Sequence, residues 1–343
     1  MIKYAVGFQL THPEEEPFSS IVACYRNYIS EVFFSWRGMP SGRSNININH
    51  ELTDKTVQQR IEKELKVIKD MGIKLDLLFN GNCYGANSLS VMLQNNVCSI
   101  INYLNKVVGG IDVVTTTSPA IAHMVKTNFP EIDVRASVNM KIGTIKGMEY
   151  LSSLFDSFCV ERERNRDLSY LKMLKDWADE NNKKLILLAN SGCFAHCSGQ
   201  IFHDNNVAHE AEIEKVENIQ DFNPYVCWRS LKDRKNWVKV LQNTWVRPED
   251  VDKYEGLIDT VKLATRIHSL PGLVIDAYSR RSYFGNTLDL FEPTLSSAIA
   301  PFIINNSAFP EDWFEKTTKC DKICNKCNYC QEVLDKVLMN TEG

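Results

Sequence analysis

Lys184-Leu185-Ile186-Leu187-Leu188-Ala189-Asn190-Ser191-Gly192-Cys193-Phe194-Ala195-His196-Cys197 opens apolar at every position from 185 to 189 and closes in amides, hydroxyls and thiols. A short apolar run without alternation is buried on both faces, as in a parallel sheet covered by helices. The switch to polar residues marks a strand end, where parallel barrels carry their chemistry. Reading outward, similar runs lie at 4–8, 30–35, 75–80, 112–116, 133–137, 157–161 and 260–264, giving eight candidate strands with 184–190.

Helical runs separate them. Thr53-Asp54 opens one with Val57, Ile61, Leu65 and Ile68 on one face, closed by Gly72. Asp167 starts another, with Leu168, Leu171, Leu174 and Ala178 recurring at helical spacing. The pattern predicts an α/β fold, a (β/α)8 TIM-type barrel, with a long insertion after strand 7 (191–259) and a C-terminal cysteine-rich tail. The expected segments are the barrel at 1–275, a helical extension at 276–319 and a cysteine-rich metal-binding tail at 320–343.

The 343 residues are 44% hydrophobic and 24% charged, which argues against a disordered chain and fits one barrel-sized domain with additions. Met1 to Phe8 run straight into a strand-like segment, without the apolar core and cleavage site of a signal peptide. No stretch reaches the roughly 18 apolar residues of a membrane span. The expectation is a cytoplasmic protein with no membrane contact. The net charge of −4, with both signs interspersed, gives no global footprint for nucleic acid and leaves a local patch open.

Eleven cysteines in such a chain point to metal binding rather than disulfides. Cys193 and Cys197 follow strand 7 and Cys227 returns from the insertion, so these three thiols are the predicted ligands of one centre. Cys83, just past strand 3, is the candidate fourth ligand, with an open coordination position as the alternative. Gly192 is expected to let the backbone turn sharply there. Cys320, Cys324, Cys327 and Cys330 place four thiols within eleven residues, a strong tetrathiolate signal for a second cluster or for zinc. Such a centre would tie down a segment with little core of its own. The embedded Cys-x3-Cys-x2-Cys spacing also occurs in radical S-adenosylmethionine enzymes, where it follows the first barrel strand rather than lying near the C-terminus.

Other polar residues past strand ends are candidates for binding and catalysis. Arg135, Arg162 and Arg266 suit a carboxylate, which guanidinium holds bidentately, with internal ion pairs as the competing role. Glu161 is the candidate general acid/base. Asn190, His203 and His209 are candidates for orienting substrate or stabilising a ligand. Asn80 is expected at the same barrel mouth.

Gly110-Ile111-Asp112-Val113-Val114, Asn128 through Met140, Ser157 through Glu163 and Trp245 through Asp250 with Asp259 through Arg266 carry a family resemblance. Over roughly 70–290 the chain resembles the collagenase-like peptidases of family U32. The resemblance implies a barrel holding a 4Fe-4S cluster, and relatives acting in oxygen-independent hydroxylation of ubiquinone precursors or RNA bases, with prephenate as oxygen source. The spacing after Cys193 and the four-cysteine tail depart from the family pattern.

The leading expectation is an iron-sulfur enzyme modifying a small or medium, carboxylate-bearing substrate. One alternative is a peptidase, for which Cys193 or Cys197 near His203 is the arrangement the sequence offers. Another is a non-catalytic subunit whose clusters transfer electrons or stabilise an assembly with a protein partner.

Overall fold

The computed structural model describes residues 1–43 and 54–342. Eight parallel strands close into a barrel in sequence order: β1 (Tyr4–Gly7), β2 (Ile29–Ser35), β3 (Lys74–Phe79), β4 (Val113–Thr116), β5 (Asp133–Ala136), β6 (Ser157–Cys159), β7 (Lys184–Leu188) and β8 (Thr260–Leu263). The last closes on the first through Tyr4↔Val261, Ala5↔Lys262 and Val6↔Leu263. This is the TIM-type fold expected from the alternating runs.

Helices α1 (Phe18–Cys24), α2 (Asp54–Asp70), α3 (Val91–Val107), α4 (Pro119–Asn128), α5 (Ile145–Leu151) and α6 (Leu168–Glu180) follow the first six strands in turn. Val57, Ile61, Leu65 and Ile68 of α2 are buried against the strands, and Gly72 takes the left-handed conformation (φ 81°) that ends the run. The predicted opening of that run includes Thr53, which lies outside the described residues. Asp167 caps α6 by accepting the Tyr170 N–H at 3.1 Å, satisfying a donor the first turn leaves free.

Alternate side chains of each strand face opposite ways. The outward set, including Val32, Phe34, Leu75, Leu77, Val114, Val134, Leu185 and Leu187, is buried beneath the helices in the main apolar core. Each such side chain contributes about 1.5–3 kcal/mol on burial. The inward set is buried as well, and part of it is charged. Ala5, Phe33 and Leu78 form a small apolar cluster there, and beside it Glu31, Asp76, Arg135 and Lys262 make a buried ionic network.

Arg135 pairs bidentately with Glu31 and lies 3.4 Å from Asp76, while Lys262 lies 3.9 Å from Asp76 and 3.8 Å over the Phe33 ring. Thr115 donates to Asp76 at 2.8 Å. Arg135 therefore sits inside the barrel rather than at its mouth.

The insertion between β7 and β8 folds into short helices, among them α7 (Gln200–Ala208) and α8 (Glu210–Ile213). After β8 the helix Pro271–Arg280 covers the barrel, and β9 (Phe302–Ile304) pairs antiparallel with β10 (Leu338–Asn340). The helix Tyr329–Val337 buries Val333, Leu334 and Val337. The last part of the tail thus has apolar packing and a strand partner of its own. Among the described residues, no helix is long and apolar enough to cross a membrane.

Candidate functional site

The C-terminal strand ends carry a mouth built by backbone pairing. Glu292 N donates to the Asn190 carbonyl at 3.0 Å and Gly192 N to the Glu292 carbonyl at 3.2 Å, so the chain after β7 runs beside 291–293. A Cβ at position 192 would stand 2.2 Å from the Pro293 carbonyl oxygen. Gly192 is required by this close approach, rather than by the sharp turn expected from the sequence. Asn80, past β3, accepts from Gly42 N at 3.0 Å and Ser41 Oγ at 3.3 Å, fixing the loop that presents Arg43.

Three guanidinium groups gather at this end. Arg162 donates to Ser191 Oγ at 2.8 Å, and its charge acts on the nearby Cys193 thiol. Arg43 Nη2 reaches Cys193 Sγ at 4.0 Å, and its Nε lies 3.5 Å from Glu292. Arg266 donates through Nη1 to Ser41 Oγ at 2.8 Å, while its Nη2 is buried without a hydrogen-bond partner. Burial lowers the pKa of Arg266 to about 10, with Glu292 opposing that shift and Arg43 adding to it.

Cys193, Cys197 and Cys227 line one cavity of about 200 Å³, together with Arg43, His203 and Tyr225. Burial alone would push the Cys193 thiol up, but Arg162 and Arg43 outweigh it and hold the thiol below its ordinary value. Cys227 is raised to about 11 by burial, then by the neighbouring Cys193 and Cys197 sulfurs. His203 is lowered by burial and by Arg43, favouring neutral imidazole, and packs edge-on against Tyr225 at 4.8 Å. Three thiols and two cations beside one of them are a donor set that fits an anionic thiolate centre. Among the described residues, no group of three or more His, Cys, Asp or Glu side chains is drawn into ligating geometry.

Other candidates fall elsewhere. Cys83 does not line this cavity. Its thiol lies near His209, whose Nδ1 lies 2.7 Å from Glu212 Oε2. His209 and the Gly85 N–H at 3.4 Å lower the Cys83 pKa, and Cys83 and Glu212 raise that of His209. Asn190 spends its amide on Ala264 N–H and C=O and on the Leu290 carbonyl, locking β7 to β8 with no group left for a ligand.

Glu161 is half-buried and raised by burial and by Glu163, but it faces a second cavity shared with His196 and Cys320 of the tail. Cys320, Cys324 and Cys330 line a further cavity with Arg166, Lys322 and His196. Cys327 is exposed beside them.

Arg43, Glu292 and Glu212 were not among the residues singled out from the sequence. Arg43 belongs to the same post-β2 loop as Ser35-Trp36-Arg37, which was the available signal. Glu292 lies far beyond the last strand and carries none.

No family model matches the chain. An uncharacterized protease of Methanocaldococcus jannaschii, MJ1657, is 23% identical over 280 residues, 81% of this chain and 81% of that protein. The solved U32 peptidase Mk0906 superposes with a TM-score of 0.53 at 16% identity, covering 76% of this chain and 92% of that one. The structural match shows the shared barrel fold.

Proposed function

We propose that the chain is a barrel enzyme working at a thiolate centre made by Cys193, Cys197 and Cys227, a 4Fe-4S cluster facing a carboxylate-bearing substrate. The observation that carries this reading is the sharing of one mouth cavity by these three thiols and Arg43, with Arg162 holding Cys193 toward thiolate. Held by these three thiols, such a cluster would supply one-electron chemistry at the mouth. Arg162 favours the Cys193 thiolate. Arg43 and Arg266 offer donors to a substrate carboxylate, Glu292 orients Arg43, and Asn80 fixes the loop between them.

The test is iron and sulfide analysis with an absorption spectrum, on anaerobically purified and reconstituted protein. Iron, sulfide and broad visible absorption are expected in the unaltered chain, with the mouth's share lost in Cys193→Ser. Equal iron and sulfide in the two proteins would overturn the ligand assignment.

A second reading, peptide hydrolysis, is favoured by the protease and peptidase descriptions of the two relatives and by the Cys83–His209–Glu212 contact. In that reading Cys83 is the nucleophile, His209 its base and Glu212 the group orienting the imidazole. It replaces Cys193 or Cys197 with His203 as the peptidase arrangement. Peptide hydrolysis lost in Cys83→Ala and retained in Cys193→Ser would select it over the cluster reading.

A further inference from the structure

We infer that Cys320, Cys324, Cys327 and Cys330 form a tetrathiolate metal centre seated on the buried guanidinium of Arg166, separate from the thiols of the barrel mouth. The thiols already sit in turns that prepare them as ligands. Lys322 N donates to Cys320 Sγ at 3.3 Å, and Tyr329 N donates to Cys327 Sγ at 3.5 Å. Each is a backbone amide two residues beyond the cysteine, which stabilises sulfur more strongly once it is ionised. Lys322 takes the left-handed conformation, φ 63°, that closes the first of these turns. Cys320, Cys324 and Cys330 share one cavity of about 160 Å³ with Arg166.

Arg166 is the independent observation. Its Nε and Nη2 donate to the Trp245 carbonyl at 3.0 and 2.8 Å, and Nη1 to the Leu241 carbonyl at 2.9 Å. Its guanidinium lies 4.6 Å over the Trp245 ring and 5.2 Å over that of Trp313. Among the described residues it forms no ion pair with a carboxylate. A buried cation hydrogen-bonded to carbonyls and stacked on rings, with Asp250 acting on it but outside ion-pair contact, lacks a directly paired counter-charge. Zn²⁺ with four thiolates and an oxidised 4Fe-4S cluster with four thiolates both carry a net charge of about −2. Either would supply it. Binding exchanges four S–H bonds for four metal–sulfur bonds, with the protons released to solvent. The centre therefore joins the tail to the segment before α6.

Differential alkylation of the unaltered full-length chain tests this without relying on a variant's folding. After reconstitution with zinc, or with iron and sulfide, the four tail cysteines should resist iodoacetamide while exposed Cys24 is labelled. They should become reactive once a chelator removes zinc or ferricyanide dismantles a cluster. Labelling of the tail alongside Cys24 in both reconstituted forms would overturn the proposal. Cys327→Ser changes an exposed side chain and should remove either one zinc or one cluster's worth of iron and sulfide, whichever the chain holds. A colourless centre identifies zinc and a visible chromophore the cluster, and unchanged metal content in both reconstitutions would overturn the site. Cys193→Ser should leave tail protection intact, so failure of the mouth centre and failure of the tail centre are separately visible.

Discussion

Arg162 Nη1 donates to Ser191 Oγ at 2.8 Å, so one guanidinium is fixed to the turn after β7, and its charge lowers the pKa of that turn's first thiol, Cys193. Burial works against the Cys193 thiolate, and Arg162 with Arg43 reverses the balance. In apoprotein, Arg162→Met should therefore raise the pKa of Cys193 and move its alkylation profile to higher pH. Mass-spectrometric quantification of carbamidomethyl-Cys193 across pH checks this, and an unmoved profile would refute the electrostatic role of Arg162.

Gly192→Ala tests the packing that aims the same thiol. Its added methyl would meet the Pro293 carbonyl at 2.2 Å, and backbone cannot yield as a flexible side chain would. A loss of about 1–3 kcal/mol in unfolding free energy is expected from overpacking. Reactivity at Cys193 should change with it, because residues 191–193 must move off the 291–293 segment. Denaturant unfolding read beside Cys193 alkylation separates the two effects.

The ionic network inside the barrel predicts both a mutational and a pH effect. Arg135→Met leaves Glu31 and Asp76 without their shared cation, and breaking a buried pair this way costs about 3–5 kcal/mol. Asp76 is raised to about 6, first by burial and then by Glu31, with Arg135 and Lys262 opposing. Its native form binds the proton more tightly than the unfolded chain. Its contribution is therefore most favourable below the unfolded carboxyl range and falls as pH rises toward about 6. In Asp76→Asn this pH-dependent decline should disappear, which unfolding curves at several pH values between about 4 and 7 would register.

The barrel was legible because strand burial and helix periodicity are local. The apolar run at 185–189 and the stripe Val57, Ile61, Leu65 and Ile68 declare their surroundings without reference to distant chain. The triplet Cys193, Cys197 and Cys227 was also legible, since thiols just past a barrel strand and in its returning insertion have few other places to meet. What pairs with Arg135 was not. Glu31, Asp76 and Arg135 look like surface charges in otherwise apolar strands, and only barrel closure brings β2, β3 and β5 to one interior. Cys83 shows the same limit, because its position after β3 says nothing about the fold of 200–213, which carries His209 to it.

The Cys83–His209 contact gives the prediction that bears most directly on peptidase chemistry. His209 lowers the thiol, and Cys83 with Glu212 raises the imidazole, so both shifts favour the thiolate–imidazolium form of the pair. Cys83 should therefore be alkylated at lower pH than exposed Cys24. His209→Ala removes the largest stabilising contact and should shift the Cys83 profile upward, leaving Cys24 unchanged. Because both partners are largely solvated, added salt should narrow the difference between Cys83 and Cys24 in the unaltered chain. If Cys83 and Cys24 react alike at every pH, no activated thiol exists there and the Cys83-based hydrolytic reading fails. An activated Cys83 without peptide hydrolysis would leave the contact as a reactive thiol pair and return the catalytic role to the Cys193 cavity.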